Sequence, residues 1–166
     1  MSNKLDFEAG DFVVYPAHGV GRVEGIETHS IAGQDIQLYA ITFEKERMTL
    51  KVPVTKARNA GLRRLSTKDR IKVALETLQG RSRVRRTMWS RRAQEYEAKI
   101  NSGDPVSIAE VVRDLYRGAD QSDQSYSERQ IYQAALERLA RELAAVEKID
   151  EFKATERLEQ VLQKAA

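Results

Sequence analysis

Between residues 10 and 65 apolar positions recur at a spacing of two, broken by short polar or glycine-bearing turns, and this pattern predicts a small β module. Phe12-Val13-Val14-Tyr15 is rich in β-formers and stops at Pro16, which lacks the N–H that a ladder needs. His18-Gly19-Val20-Gly21 supplies a turn, and 20–28 reads as the next strand. A second turn is expected over 31–35. Residues 36–43 then alternate strictly, with Ile36, Leu38, Ala40 and Thr42 on one face and Gln37, Tyr39, Ile41 and Phe43 on the other. Polar residues 44–47 turn the chain into a last strand over 48–54. Pro53 suits only an edge position there, so this strand is predicted to be the open edge of a strongly bent barrel or curled sheet.

From Ser66 the period becomes helical. Ser66 and Asp69 resemble a capping box, with Ile71, Leu75 and Leu78 on one face until Gly80. A second helix begins between Arg81 and Thr87 and ends near Asn101-Ser102-Gly103. The third is bounded by Asp104 as N-cap, Pro105 at the first helical position and Gly118 beyond the last turn. Its stripe is Ile108, Val111, Val112, Leu115 and Tyr116. Ser125 and Glu128 form a capping box for the fourth, which buries Ile131, Ala135, Leu139, Leu143 and Val146. Asp150 caps the fifth, with Phe152, Leu158, Val161 and Leu162 inward. The expected class is α+β: a β module over 1–65, then a compact domain of about five short helices over 66–166.

Charge sharpens this division. Residues 1–65 carry 9 basic and 8 acidic side chains, residues 66–101 carry 10 and 4, and residues 102–166 carry 9 and 13. The positive field is therefore concentrated in one central segment, as a localised polyanion footprint requires. Its centre is the run 81–92, which sets six arginines around the chain's only tryptophan, Trp89. Arginine forks bind phosphate oxygens, and an exposed indole can stack on or wedge between bases. Two geometries are open for Trp89. In a helix continuous from about residue 82 it shares a stripe with Ala93, Tyr96 and Ile100 and faces the core. With Thr87 as N-cap it lies in the first turn, near free N–H groups that attract phosphate, flanked by Arg85, Arg86 and Arg92.

Other chemistry is sparse. With no cysteine, disulfides, thiolate catalysis and Cys-ligated zinc are excluded. His18-Gly19-Val20-Gly21 lacks the third glycine of a dinucleotide fingerprint, since Glu24 stands there, so these are turn glycines. His18 and His29 have no converging carboxylate pattern for a metal or for acid–base work. No nucleophile triad, HExxH or P-loop is present, so a non-enzyme without cofactor or metal is expected. No apolar run approaches the roughly 18 residues of a membrane span, and a cytosolic location is expected. An autonomous sequence-specific repressor is the alternative. It calls for base-reading amides on a recognition helix and a dimer seam, whereas the second helix has few amides and no heptad pattern, which favours a monomer.

Gly10-Asp11-Phe12-Val13-Val14-Tyr15-Pro16-Ala17-His18-Gly19-Val20-Gly21 and Leu50-Lys51-Val52-Pro53 resemble the N-terminal signature of the CarD/CdnL family of bacterial RNA-polymerase-binding transcription regulators. Trp89-Ser90-Arg91-Arg92, Ser102-Gly103-Asp104 and 109–115 resemble its helical domain. The resemblance implies a Tudor-like module that docks on the polymerase β subunit by pairing strand edges, through Met48, Leu50, Lys51, Val52 and Pro53. It further implies that Trp89 wedges into the minor groove of promoter DNA at the upstream edge of the bubble, stabilising the open complex. Arg91 and Arg92 then fall in the phosphate-contacting patch, with Arg85 and Arg86 beside it. Those last two belong to a run, Arg-Arg-Thr-Met, that departs from the Pro-containing, less basic run of some members. Finally, Ala165 and Ala166 resemble tails recognised by bacterial ATP-driven proteases, which makes such a protease a further expected partner. Alanines that simply finish a helix are the other reading.

Overall fold

The computed structural model describes residues 6–82, 87–117 and 124–165. It divides into two compact units, Met1–Leu65 and Ser66–Ala166. The first is all β except for one helical turn. Its strands are β1 (Phe12–Tyr15), β2 (Gly19–Ile31), β3 (Gln34–Phe43), β4 (Met48–Pro53) and β5 (Arg63–Arg64), with the turn α1 (Val54–Ala57) between the last two. They form one antiparallel sheet in the order β4-β3-β2-β1-β5. The order is linear, so of the two expected forms the open curled sheet is found. The strand predicted over 48–54 ends one residue early, because Val54 already starts α1.

The hairpin between β2 and β3 is tighter than the pattern suggested. Ile31 pairs with Gln34, leaving only Ala32 and Gly33 in the turn, at φ values of 52° and 80°. Two successive left-handed residues match the right-handed twist of the flanking strands. A bulge between Val23 and Gly25 adds curvature to β2. Four consecutive residues of β3, Leu38 to Ile41, are all buried, so both faces of this strand are covered there. Gly21 illustrates the packing: a Cβ there would lie 2.7 Å from Phe43 Cε1 and 2.8 Å from Ile41 Cγ2. Burial of the Phe43 ring contributes about 1.5–3 kcal/mol, and Gly21→Ala would displace it.

The second unit contains α2 (Lys68–Leu78), α3 (Trp89–Asn101), α4 (Pro105–Leu115), α5 (Tyr126–Glu147) and α6 (Glu151–Ala165). Their caps are mostly those read from sequence. Asp104 accepts from the N–H groups of Val106 and Ser107, Ser125 from Glu128, and Asp150 from Lys153 at 2.7 Å. The first cap is displaced by one residue: Thr67 Oγ1 accepts from the Arg70 N–H, whereas the Ser66 N–H is held at 2.8 Å by the buried carboxylate of Glu142. The core runs from Ile71, Ala74 and Leu78 through Tyr96 and Ile100, Val111 and Leu115, and Leu139 and Leu143 to Ala154, Leu158 and Leu162. Leu75, Tyr116, Val146 and Val161 only flank it.

Phe152 is a correction. It was expected inside but is 78% exposed. The buried stripe of α6 is Ala154, Leu158 and Leu162, and two residues along a helix turn the chain by about 200°, so Phe152 faces away from that stripe. Helix α5, at 22 residues, is also longer than expected. Gly118 lies outside the described residues, and α4 ends before it, at Leu115. Among the described residues no helix is long and apolar enough to cross a membrane.

Candidate partner edge and nucleic-acid interface

Strand β4 is the sheet's outermost strand on one side, as Pro53 required. Its register against β3 runs from Met48↔Phe43 to Pro53↔Leu38. Period-two alternation divides its side chains. Val52 is 5% exposed and Met48 and Leu50 are half-buried against the module core, whereas Thr49 and Lys51 point to solvent. Of the five residues expected to face a partner, three are therefore core-directed. What β4 offers outward is its unpaired backbone edge, Pro53 and the Lys51 ammonium.

Lys51 is not idle. Its Nζ lies 3.0 Å from Glu27 Oε1 on β2, reaching across β3 where its register partner is the small Ala40. His29 Nε2 lies 3.0 Å from the same oxygen. The His29 hydrogen bond, then that of Lys51, holds the Glu27 carboxyl below its ordinary value against a small opposing effect of burial. Sequence reasoning missed Glu27. Its only signal was the 27/29 spacing, which puts both side chains on one face of β2. His18 also has a local role, with Nδ1 3.0 Å from Glu46 and its ring stacked on Tyr15. Among the described residues no cluster of His, Asp and Glu could hold a metal ion.

The two geometries open for Trp89 each prove half right. Trp89 is the first residue of α3, so it lies in the first turn, but the N-cap is Met88, not Thr87. The Met88 side chain makes no capping hydrogen bond, although its carbonyl accepts from the N–H groups of Arg91 and Arg92. The stripe reading also holds, since Trp89 and Ala93 flank the core that buries Tyr96 and Ile100. The ring ends up half-buried. Its ring centre lies 6.2 Å from that of Tyr96, the two planes tilted by 49°, and its indole N–H donates to Ser127 Oγ at 3.1 Å. Met88 beside it is 78% exposed.

The arginines divide as well. Arg91 is exposed one residue beyond Ser90, at the uncapped helix start where unsatisfied N–H groups attract anions. Arg92 is half-buried. Its guanidinium carbon lies 5.3 Å from the Trp89 ring centre and 5.8 Å from that of Tyr96, and Nη2 donates to the Tyr96 hydroxyl at 3.4 Å. Its Nε is buried without a hydrogen-bond partner. Arg92 is thus a platform under the indole, and a cation over two aromatic faces contributes about 0.5–2 kcal/mol. Arg85 and Arg86 lie outside the described residues, as does Ala166; Ala165 is the exposed last residue of α6. Tyr96 and Ser127 were not singled out from sequence. The first could have been found from its i+4 spacing to Arg92, but nothing local points from residue 89 to residue 127.

The chain is thus a two-module protein, a β unit with a free sheet edge followed by a helical unit carrying an aromatic–cationic cluster. The CarD-like/TRCF RID domain model matches residues 7–66, and the CarD C-terminal domain model matches residues 73–159. The chain is 31% identical over 145 residues, 87% of its length and 95% of the relative's, to "Putative transcription factor YdeB" of Bacillus subtilis (strain 168). Among solved structures, CdnLNt from Myxococcus xanthus is 34% identical, covering 41% of this chain and 96% of that chain with a TM-score of 0.33. The protein belongs to the CarD/CdnL family. It is a CarD-like transcription regulator.

Proposed function

We propose that the protein binds the RNA polymerase β subunit through the β4 edge and stabilises the promoter open complex through Trp89 and its neighbouring arginines at the upstream edge of the bubble. The observation that carries this reading is the setting of Trp89: a partly buried ring at an uncapped helix start, on a guanidinium platform, in the most basic segment of the chain. Unstacking a base step costs a few kcal/mol, and a flat ring that replaces the lost stacking offsets this without reading sequence. The β4 edge supplies backbone hydrogen bonds for strand addition, and Lys51 supplies a charge by which a partner strand is selected.

Such a factor breaks no covalent bond. It acts by binding the melted complex more tightly than the closed one, and about 1.4 kcal/mol of that difference shifts their ratio tenfold. The effect on a promoter then depends on its limiting step, since over-stabilising an open complex slows escape. The decisive measurement is open-complex lifetime on purified polymerase, with and without the protein. A lifetime unchanged by saturating protein rules the reading out. Binding to promoter duplex alone should be weak and salt-sensitive; tight, sequence-specific shifts without polymerase would point to an autonomous repressor instead.

A further inference from the structure

The indole of Trp89 ties the start of α3 to the start of α5. Trp89 is the first residue of α3, Tyr126 is the first residue of α5, and the Trp89 N–H donates to Ser127, the residue after Tyr126. Two helix N-termini therefore converge on one place, and the positive ends of both dipoles add to the field of Arg91 and Arg92. Tyr126 is 76% exposed. It takes no part in capping α5, which Ser125 does alone through the Glu128 N–H at 3.2 Å. Among the described residues its ring stacks on no other ring and its hydroxyl has no partner. A large aromatic left in water at a helix start that the Trp89 bond joins to α3 is an unpartnered surface. Glu128 in the same turn faces Arg117 at 3.7 Å, and Arg91 and Arg92 on the α3 side supply the positive charge that favours a polyanion.

We propose that Tyr126 is a second aromatic contact to promoter DNA, stacking on an unpaired base next to the place taken by Trp89. This rests on the reading of Trp89 given above. The Trp89–Ser127 bond joins the two helix starts, so the residues that carry the two rings stand at neighbouring helix N-termini. Stacking of a base on an aromatic side chain is tolerant of sequence, as a factor acting at many promoters requires. Trp89 then occupies the junction of duplex and bubble, and Tyr126 captures a base already released. The exposed Met88 lines the same helix start with apolar surface that a base can cover.

The test uses full-length protein on polymerase–promoter complexes. Tyr126→Ala should shorten open-complex lifetime about tenfold while leaving the melting temperature unchanged, and Tyr126→Phe should retain the wild-type lifetime because the ring, not the hydroxyl, stacks. A wild-type lifetime for Tyr126→Ala beside a short one for Trp89→Ala overturns the role of Tyr126 and leaves the Trp89 reading standing. Wild-type lifetimes for both variants remove both. A Tyr126→Phe variant as weak as Tyr126→Ala also overturns stacking. A photo-crosslinking benzoylphenylalanine at position 126 gives a readout that does not depend on lifetime. Adducts with DNA near the upstream edge support the proposal, and adducts with polymerase alone overturn it.

Discussion

Lys51 Nζ and Glu27 Oε1 meet at 3.0 Å although a whole strand, β3, lies between their backbones. The small Ala40 opposite Lys51 leaves the lysine stem room to cross. An exposed pair of this kind adds little to stability, and its consequence is for binding. A partner that uses Lys51 must take it from Glu27.

Lys51→Glu is therefore expected to abolish pull-down of the polymerase β subunit, because it places a carboxylate beside Glu27 and reverses the charge offered to the partner. Glu27→Gln removes the internal competitor and is expected to bind β at least as tightly as wild type at low salt. Both variants should melt close to wild type, since both side chains are solvated. Undiminished binding by Lys51→Glu would move the contact away from the β4 edge.

Trp89 serves packing and surface together, so its variants should separate the two. Trp89→Ala is expected to shorten open-complex lifetime and to destabilise the helical unit by roughly 1–2 kcal/mol, between a surface and a core deletion. That corresponds to several degrees in melting temperature. Trp89→Phe keeps the contact with Tyr96 and Arg92 but loses the bond to Ser127, so it should recover stability more fully than lifetime. A loss near the 3–5 kcal/mol of a core tryptophan would show that the ring is structural.

How much of this was legible depended on whether the signal was local. The strand read over 36–43, the Asp104-Pro105 helix start and the Ser125 cap are signalled within a few residues, and all three are present, the strand starting two residues earlier at Gln34. The edge position of β4 followed from a single proline. The Ala32-Gly33 turn was blurred because alanine is an unusual occupant of a left-handed position. Phe152 lies off the 154/158/162 phase that α6 buries. The site was less legible than the fold. Glu27 meets Lys51 only through a register set beyond a bulge, and Ser127 meets Trp89 across 38 residues of chain.

Arg91 and Arg92 should behave differently although they are neighbours. Arg91→Ala is expected to weaken duplex binding uniformly across sequences and to reduce the salt slope by about 1, the signature of one lost phosphate contact. Arg92→Ala should lower thermal stability as well, since it removes the surface under two rings. Arg92→Lys should not restore it, because an ammonium lacks the flat face that stacks. Fluorescence anisotropy over a salt series and thermal melts of the same samples check both. Equal salt slopes for wild type and Arg91→Ala would remove Arg91 from the interface.

Asp104 should give the helical unit a defined acid sensitivity. Its carboxylate caps α4 through the N–H groups of Val106 and Ser107, accepts from Ser107 Oγ at 3.0 Å and pairs with Arg70 at 2.8 Å. Partial burial is the largest single influence and pushes its pKa up, but the bonds from Arg70, Ser107 and Val106 and the Arg70 charge together outweigh it and hold it below 3.8. In the unfolded chain the same group titrates near its ordinary value. The folded state therefore binds the proton more weakly, and stability from this group is present above pH 3.8 and is lost as pH falls through the lower folded value. Asp104→Asn keeps a capping oxygen and should cost little near neutrality while flattening that acid limb. Asp104→Ala loses the cap at every pH and should cost about 1 kcal/mol. Chemical denaturation from neutral pH down to about pH 3 reads both limbs, and an acid limb as steep in Asp104→Asn as in wild type would assign the sensitivity to another carboxylate.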